Sequence, residues 1–128
     1  MGDKLRIGEL AERAGVTTRT IRYYEGMGLM GQTDRPGGFR HYTEDALRRL
    51  HKIDALKKLG LSLEEIGSVI DLYFEDPSGI GAKRKVLAIL QGHLREADRK
   101  IDALEQFRTD LRGNIDRIER LIGEATRV

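Results

Sequence analysis

The segment 17–25, Thr-Thr-Arg-Thr-Ile-Arg-Tyr-Tyr-Glu, concentrates side chains that are suited to contact a nucleic acid. Arginine can bond guanine edges bidentately or hold phosphates, and threonine and tyrosine hydroxyls can bond phosphate oxygens. Four of these side chains recur at helical spacings and therefore share one face: Thr18, Arg19, Arg22 and Tyr23. The pattern predicts a helix that presents basic and hydroxyl groups to a DNA groove.

An ordinary solvated helix with two arginines is the alternative interpretation of the same segment. Tyr23 and Tyr24 favour the DNA interpretation, because adjacent aromatic side chains on a short surface helix reduce solubility unless they are used.

Two helices and a tight turn must position these side chains. Residues 9–14 carry apolar residues on one face and predict a short first helix, and Gly15 suits its C-terminal end. Thr17 is a suitable N-cap for the next helix, which we expect to run from Thr18 to Gly26.

A second basic element is expected between residues 31 and 42, where Pro36-Gly37-Gly38 is a strong turn signal. We predict a small hairpin, a wing, with arginines on both sides of the turn that reach the DNA backbone or minor groove. A polar surface hairpin is the alternative. The residues assigned to DNA contact here are Arg35, Gly38, Phe39, Arg40 and Tyr42.

Two further helices follow the predicted hairpin. Thr43 caps the first, which Gly60 closes, and Ser62 caps the second with Glu65 at the capping-box position. Lys57 and Lys58 at the end of the first of these helices could contact phosphates, although basic residues also suit a helix C-terminus for dipole reasons.

From residue 82 to residue 122 no proline occurs, and apolar residues repeat with alternating steps of three and four. The repeat predicts a helix roughly 60 Å long, too long to bury its stripe against so small a front section, so we expect a homodimer. The stripe alone leaves a parallel and an antiparallel pairing open. Its predicted interface residues, with Arg108 as the single polar interruption, are Leu87, Leu90, Leu94, Ala97, Ile101, Leu104, Arg108, Leu111, Ile115, Ile118 and Ile122.

Composition excludes several classes of site. The chain of 128 residues has no cysteine, so thiolate metal sites, cysteine nucleophiles and disulfides are excluded, which fits a reducing cytoplasm. The three histidines are scattered, and no phosphate loop or nucleophile elbow occurs, so we expect no metal, no cofactor and no enzyme. Neither a membrane span nor a signal peptide is expected. Residues 1–60 carry a net charge of +4 and residues 61–76 a net charge of −5, which places the basic excess in the front section.

The order of these motifs resembles the MerR family of bacterial transcription regulators. The motifs that carry the resemblance are Ile7-Gly8-Glu9-Leu10-Ala11, Gly15-Val16, Thr20-Ile21-Arg22-Tyr23-Tyr24-Glu25, Gly28-Leu29, Gly38-Phe39-Arg40-His41-Tyr42 and Leu59-Gly60-Leu61-Ser62-Leu63-Glu64-Glu65-Ile66. They cover about the first 75 residues. The resemblance implies a mainly α fold, a winged helix-turn-helix followed by an antiparallel coiled-coil dimer helix.

Family resemblance also implies roles for particular residues. It places Arg19, Arg22, Tyr23 and Tyr24 at the DNA, and Arg40 with its wing neighbours on the backbone. Family members typically occupy promoters whose spacer is too long for RNA polymerase, and bend and untwist that DNA until the two polymerase elements realign. By the same resemblance we expect a cytoplasmic, nucleoid-associated bacterial protein on a two-fold symmetric operator.

Two departures from the family pattern are visible. Phe39 stands where the family usually has tyrosine, so a hydroxyl contact from that position is lost. The cysteines of metal-sensing and redox-sensing members are absent. The expected division is a DNA-binding domain at 1–76, a linker at 77–81, the dimer helix at 82–122 and a tail at 123–128.

Two alternative functions remain open at this level. One is a DNA-bending architectural or recombination accessory protein that uses the same winged helix. The other is a small-molecule-sensing or protein-interaction module with a pocket near the dimer helix, at Tyr73-Phe74.

Overall fold

The computed structural model describes residues 4–31 and 41–127. Within these ranges the chain is mainly helical, and the one β-type pairing is an isolated antiparallel bridge between Leu5 and Tyr42. The five helices are α1 (Ile7–Ala14), α2 (Thr18–Gly26), α3 (Glu44–Lys58), α4 (Leu63–Glu75) and α5 (Ile80–Ala125).

The tight turn between α1 and α2 forms as its residues predict. Gly15 has φ 70°, a left-handed conformation that suits glycine, and its N–H donates to the carbonyls of Ala11 and Glu12. The Thr17 hydroxyl accepts a hydrogen bond from the Thr20 N–H at 3.0 Å, which caps α2. The predicted bounds of α2 are confirmed, whereas α1 begins two residues earlier than predicted.

The caps of α3 and α4 differ from one another. The Ser62 hydroxyl accepts from the Glu65 N–H at 3.1 Å while the Glu65 carboxylate accepts from the Ser62 N–H at 2.9 Å, so the predicted capping box is confirmed. Thr43 occupies the N-cap position of α3, but its side chain makes no capping hydrogen bond.

One hydrophobic core joins α1 to α4 and the first turns of α5, and it fixes the orientation of α2. Most of its members are aliphatic, because each helix turns its apolar stripe inward. Its most deeply buried side chains include Leu10, Ile21, Leu29, Tyr42, Ile53, Leu56, Ile66, Val69 and Ile70.

The chain divides into two compact units, residues 1–90 and residues 91–128. The first unit therefore extends beyond residue 76, because Val86 is buried in its core and Ile89 and Leu90 pack partly against it. The last helix begins at Ile80 and ends at Ala125, so it takes up part of the segments predicted as linker and tail.

The second unit consists of the rest of α5, and its apolar side chains are solvent-exposed in the single chain. Between 43% and 67% of the surface of each is accessible: Leu94, Ile101, Leu104, Phe107, Leu111, Ile115, Ile118, Leu121 and Ile122. Over residues 4–31 and 41–127, no helix is long and apolar enough to cross a membrane.

Candidate nucleic-acid interface

The outward face of α2 carries the side chains that the sequence assigns to DNA. Thr18, Arg19 and Arg22 are exposed, and Tyr23 exposes 59% of its surface. On the opposite face Ile21 is fully buried, so the helix is anchored by one side and open on the other. This arrangement leaves two guanidinium groups and a phenol hydroxyl available to a groove or a phosphate chain.

Thr17 lies at the start of this face, where its hydroxyl caps the N-terminus of α2. The oxygen accepts the Thr20 N–H and lies 2.9 Å from the Thr20 hydroxyl. Thr17 is exposed and therefore borders the surface that the α2 side chains form.

Tyr24 does not lie on the exposed face, contrary to the placement expected from the sequence. Only 5% of its surface is accessible, and the Lys57 ammonium donates to its hydroxyl at 3.4 Å. The reason is the helical spacing: Tyr24 follows the buried Ile21 by three residues and so turns to the same inner face. Tyr24 therefore seats α2 on the core and holds Lys57 beside it.

Tyr42 is likewise a core residue and not an exposed part of a wing. It is 2% accessible, and its hydroxyl donates to the Glu25 carboxylate at 3.0 Å. Its backbone exchanges two hydrogen bonds of 2.7 Å with Leu5. Tyr42 thus fixes the chain that follows residues 32–40 to α2 and to the segment that leads into α1.

The other predicted wing contacts, Arg35, Gly38, Phe39 and Arg40, lie outside the described residues, as does the predicted hairpin turn. Their assignment to the DNA backbone stays a prediction.

Lys57 and Lys58 lie at the end of α3, and their side chains have different partners. Lys57 is exposed and its ammonium reaches Tyr24, which places a cation next to α2. Lys58 pairs with Asp54 at 2.9 Å, one helical turn earlier, with 77% of its side chain exposed. Because such exposed pairs contribute about 0–1 kcal/mol, Lys58 can exchange this partner for a phosphate at small cost.

Sequence reasoning did not identify Arg49, which supports the chain just before residues 32–40. Its side chain is only 14% exposed, donates to the Leu29 carbonyl at 3.1 Å and pairs with Asp71 at 2.9 Å. A Cβ on Gly31, which has φ 75°, would lie 2.9 Å from the Arg49 Cζ atom. Arg49 therefore packs closely against the segment that leads into the predicted wing.

Two positions along the predicted dimer stripe differ in the single chain from what the repeat indicates. Leu90 is partly buried and packs against the core of the first unit, since that core includes the first turns of α5. Phe107 was missed, yet it exposes 57% of its surface and continues the stripe from Leu104 to Leu111 by steps of three and four. Arg108 is exposed beside it. The remaining predicted stripe residues, Leu87 and Ala97 included, are exposed.

No group of three or more histidine, aspartate or glutamate side chains that could hold a metal ion occurs in the described part of the chain. Arg19, Arg22 and Tyr23 present two cations and a hydroxyl on the exposed face of α2, an arrangement that fits an extended polyanion.

Comparison with known proteins agrees with this arrangement. A family model described as MerR HTH family regulatory protein matches residues 5–72, and a second, described as MerR, DNA binding, matches residues 47–113. HTH-type transcriptional regulator PA4778 of Pseudomonas aeruginosa is 37% identical over 113 residues, which are 88% of this chain and 83% of that protein.

Two further proteins are similar to this chain over most of its length. Nodulation protein NolA of Bradyrhizobium sp. is 36% identical over 84% of this chain, but the match spans only 41% of NolA. The crystal structure of transcription regulator PbrR691 from Ralstonia metallidurans in complex with Lead(II) has 32% identity and a TM-score of 0.69, and covers 84% of this chain and 85% of PbrR691.

The matched residues include the whole helix-turn-helix and extend into α5. The chain belongs to the MerR family and is a DNA-binding transcription regulator.

Proposed function

We propose that this regulator binds a two-fold symmetric promoter site as a homodimer and controls transcription initiation by bending and untwisting that DNA. The observation that carries the proposal is the two-faced character of α2, with Arg19, Arg22 and Tyr23 exposed and Ile21 and Tyr24 buried. A helix anchored in this way presents its open face as a rigid unit, which is what insertion into a major groove requires.

Side-chain chemistry indicates which residues suit contacts with bases and which suit contacts with phosphates. Arg19 and Arg22 can each form bidentate hydrogen bonds with a guanine or with a phosphate. The Tyr23 hydroxyl lies on the same exposed face, and the Lys57 ammonium lies beside Tyr24; both groups suit phosphate contacts. Phosphate contacts position the helix without reading the base sequence, so part of the specificity would come from how readily the DNA deforms.

The exposed apolar stripe of α5 supports the homodimer. Nine large apolar side chains in residues 94–122 are 43–67% accessible in the single chain, and an uncovered stripe of this kind marks an interaction surface. A second copy supplies the same heptad repeat, so knobs of one helix meet holes of the other. An antiparallel pairing, expected from the family resemblance, would set two α2 helices at opposite ends of one site.

Deformation of the promoter is physically reasonable for such a dimer. Bending a DNA site of roughly 20–30 base pairs by about 40–90° costs of order 1–6 kcal/mol, which extra phosphate contacts at both ends can offset. RNA polymerase on the realigned promoter elements is then the functional partner, and the protein is bound to the bacterial nucleoid. In this proposal the protein has no catalytic role.

A binding experiment with matched variants tests the proposal. Genomic fragments captured by the wild-type protein are footprinted, and Arg22→Ala is compared with Arg120→Ala, which removes an exposed arginine from α5, far along the chain from α2. We expect a footprint of two-fold symmetry that Arg22→Ala abolishes and Arg120→Ala leaves unchanged. Equal loss with both variants, or binding without a defined footprint, would contradict the assignment of α2 to the groove.

A further inference from the structure

A solvent-open cavity of about 440 Å³ lies in the first unit, between the middle of α3, the end of α4 and the start of α5. Its size falls within the range of small-molecule sites, roughly 300–1,000 Å³. None of the interface residues described above lines it, so the α2 surface does not account for it.

The charges around the cavity favour an anion. Arg48 and Lys52 approach from α3 and Lys83 from α5, against the single carboxylate of Asp76. Lys83 forms no ion pair within residues 4–31 and 41–127, and Lys52 has no charged partner there, its ammonium lying 4.3 Å from the centre of the Tyr73 ring.

Two charged groups of the lining are already engaged. Arg48 pairs with Asp45 one turn earlier on α3, and both side chains are largely exposed. The Asp76 carboxylate accepts hydrogen bonds from the Ser78 hydroxyl at 2.8 Å and from the Ser78 N–H at 3.0 Å. Since Asp76 is tied into this turn and repels a second carboxylate, a bound anion would place its charge near Lys52 and Lys83.

Aromatic rings give the cavity its apolar part. Tyr73 is partly buried and Phe74 is 38% exposed, and both rings line the space. Aromatic surface beside ammonium groups suits a ligand that combines an apolar ring with a negative charge. From the cations and rings together, we propose that the cavity binds a small aromatic carboxylate as an effector.

Phe74 connects this cavity with the segment next to α2. The Arg49 guanidinium lies 4.8 Å from the centre of the Phe74 ring, and the same group donates to the Leu29 carbonyl at 3.1 Å. A ligand that shifts Phe74 would disturb Arg49, and through it the chain at Leu29 and Gly31. The effector role rests on the proposed function, because it is measured as a change in DNA affinity. Binding of the ligand to the cavity is measured without DNA and does not rest on the proposed function.

Direct binding is tested on the full-length protein without DNA, with benzoate as the probe and benzyl alcohol as its uncharged counterpart. Amide NMR signals of residues 48–55 and 73–83 should shift saturably with benzoate and not with benzyl alcohol. Lys83→Gln should weaken benzoate binding by about tenfold, the effect of one charge-assisted contact, while the neighbouring Arg84→Gln, outside the cavity, should leave it unchanged.

Two results would overturn the site. One is the absence of saturable shifts, and the other is equal weakening of benzoate binding by Lys83→Gln and Arg84→Gln.

The effector role has its own readout in the affinity for a captured genomic fragment. Benzoate should change that affinity in the wild-type protein and not in Lys83→Gln. Saturable benzoate binding with unaltered DNA affinity would overturn the coupling through Phe74 and Arg49, while failure of the wild-type protein to bind DNA would instead contradict the proposed function.

Discussion

Replacing Tyr42 with phenylalanine tests whether the buried tyrosines hold the DNA-contacting helix rather than contact DNA. The change removes one oxygen from a side chain that is 2% accessible and whose hydroxyl donates to Glu25 at 3.0 Å. Phenylalanine keeps the ring, so the loss is confined to the interactions of the hydroxyl and creates little cavity.

The size of the effect follows from the nature of that bond. A hydrogen bond to a charged acceptor contributes about 1.5–3 kcal/mol, and half-burial of Glu25 lets water replace part of it. We therefore expect Tyr42→Phe to lower the free energy of unfolding by about 1–2 kcal/mol. The exposed Tyr23→Phe should change it by less than about 0.5 kcal/mol.

Urea denaturation measures both values, at one fixed protein concentration because a dimer's stability depends on concentration. DNA affinity is measured in parallel under conditions where both variants are folded. Tyr23→Phe should weaken DNA binding while leaving the free energy of unfolding nearly unchanged. The structural role of Tyr42 is refuted if Tyr42→Phe keeps wild-type stability, or if Tyr23→Phe destabilises the protein as much as Tyr42→Phe does.

Further predictions concern the support of the wing segment, a turn and the dimer stripe. Gly31→Ala should destabilise the protein by about 1–2 kcal/mol in urea denaturation, because φ is 75° there and the new Cβ meets Arg49. The pKa of Asp76 is held below its ordinary value of 3.8 by hydrogen bonds from the Ser78 side chain and backbone. Its stabilising contribution is thus present above 3.8 and lost as the pH falls through the lower folded value, and an NMR titration midpoint at or above 3.8 would contradict this. In sedimentation, Leu104→Lys should yield monomers, whereas Arg108→Leu should preserve or strengthen the dimer, unless the arginine forms a specific buried pair.

Local signals predicted the elements of the first unit well. The glycine in a left-handed turn, the Thr17 cap and the Ser62–Glu65 capping box depend on hydrogen bonds within a few residues, which spacing alone determines. The position of α2 and its exposed arginines followed directly from these signals.

Burial of individual aromatic residues could not be predicted with equal success. Tyr24 and Tyr42 carry hydroxyls that suit DNA, and only the assembled core shows that each hydroxyl is used by Lys57 or Glu25. The three-residue step from Ile21 to Tyr24 was the signal that could have placed Tyr24 inward.

Long-range partners were beyond the reach of pattern analysis. Arg49 lies at an ordinary polar position of α3, and its contacts with Leu29 and Asp71 join residues about twenty positions away in each direction. Phe107 was overlooked because a strict alternation of steps pointed to Arg108, whereas two successive steps of three keep the apolar stripe continuous.

Mapping bound sites across the genome at base resolution, for the wild type and for Arg22→Ala, tests most directly the claim that paired α2 helices hold a promoter. We expect two-fold symmetric sites, centred between promoter elements whose spacer is longer than usual, all of them lost with Arg22→Ala. Sites without symmetry, or sites that persist in Arg22→Ala, would contradict it.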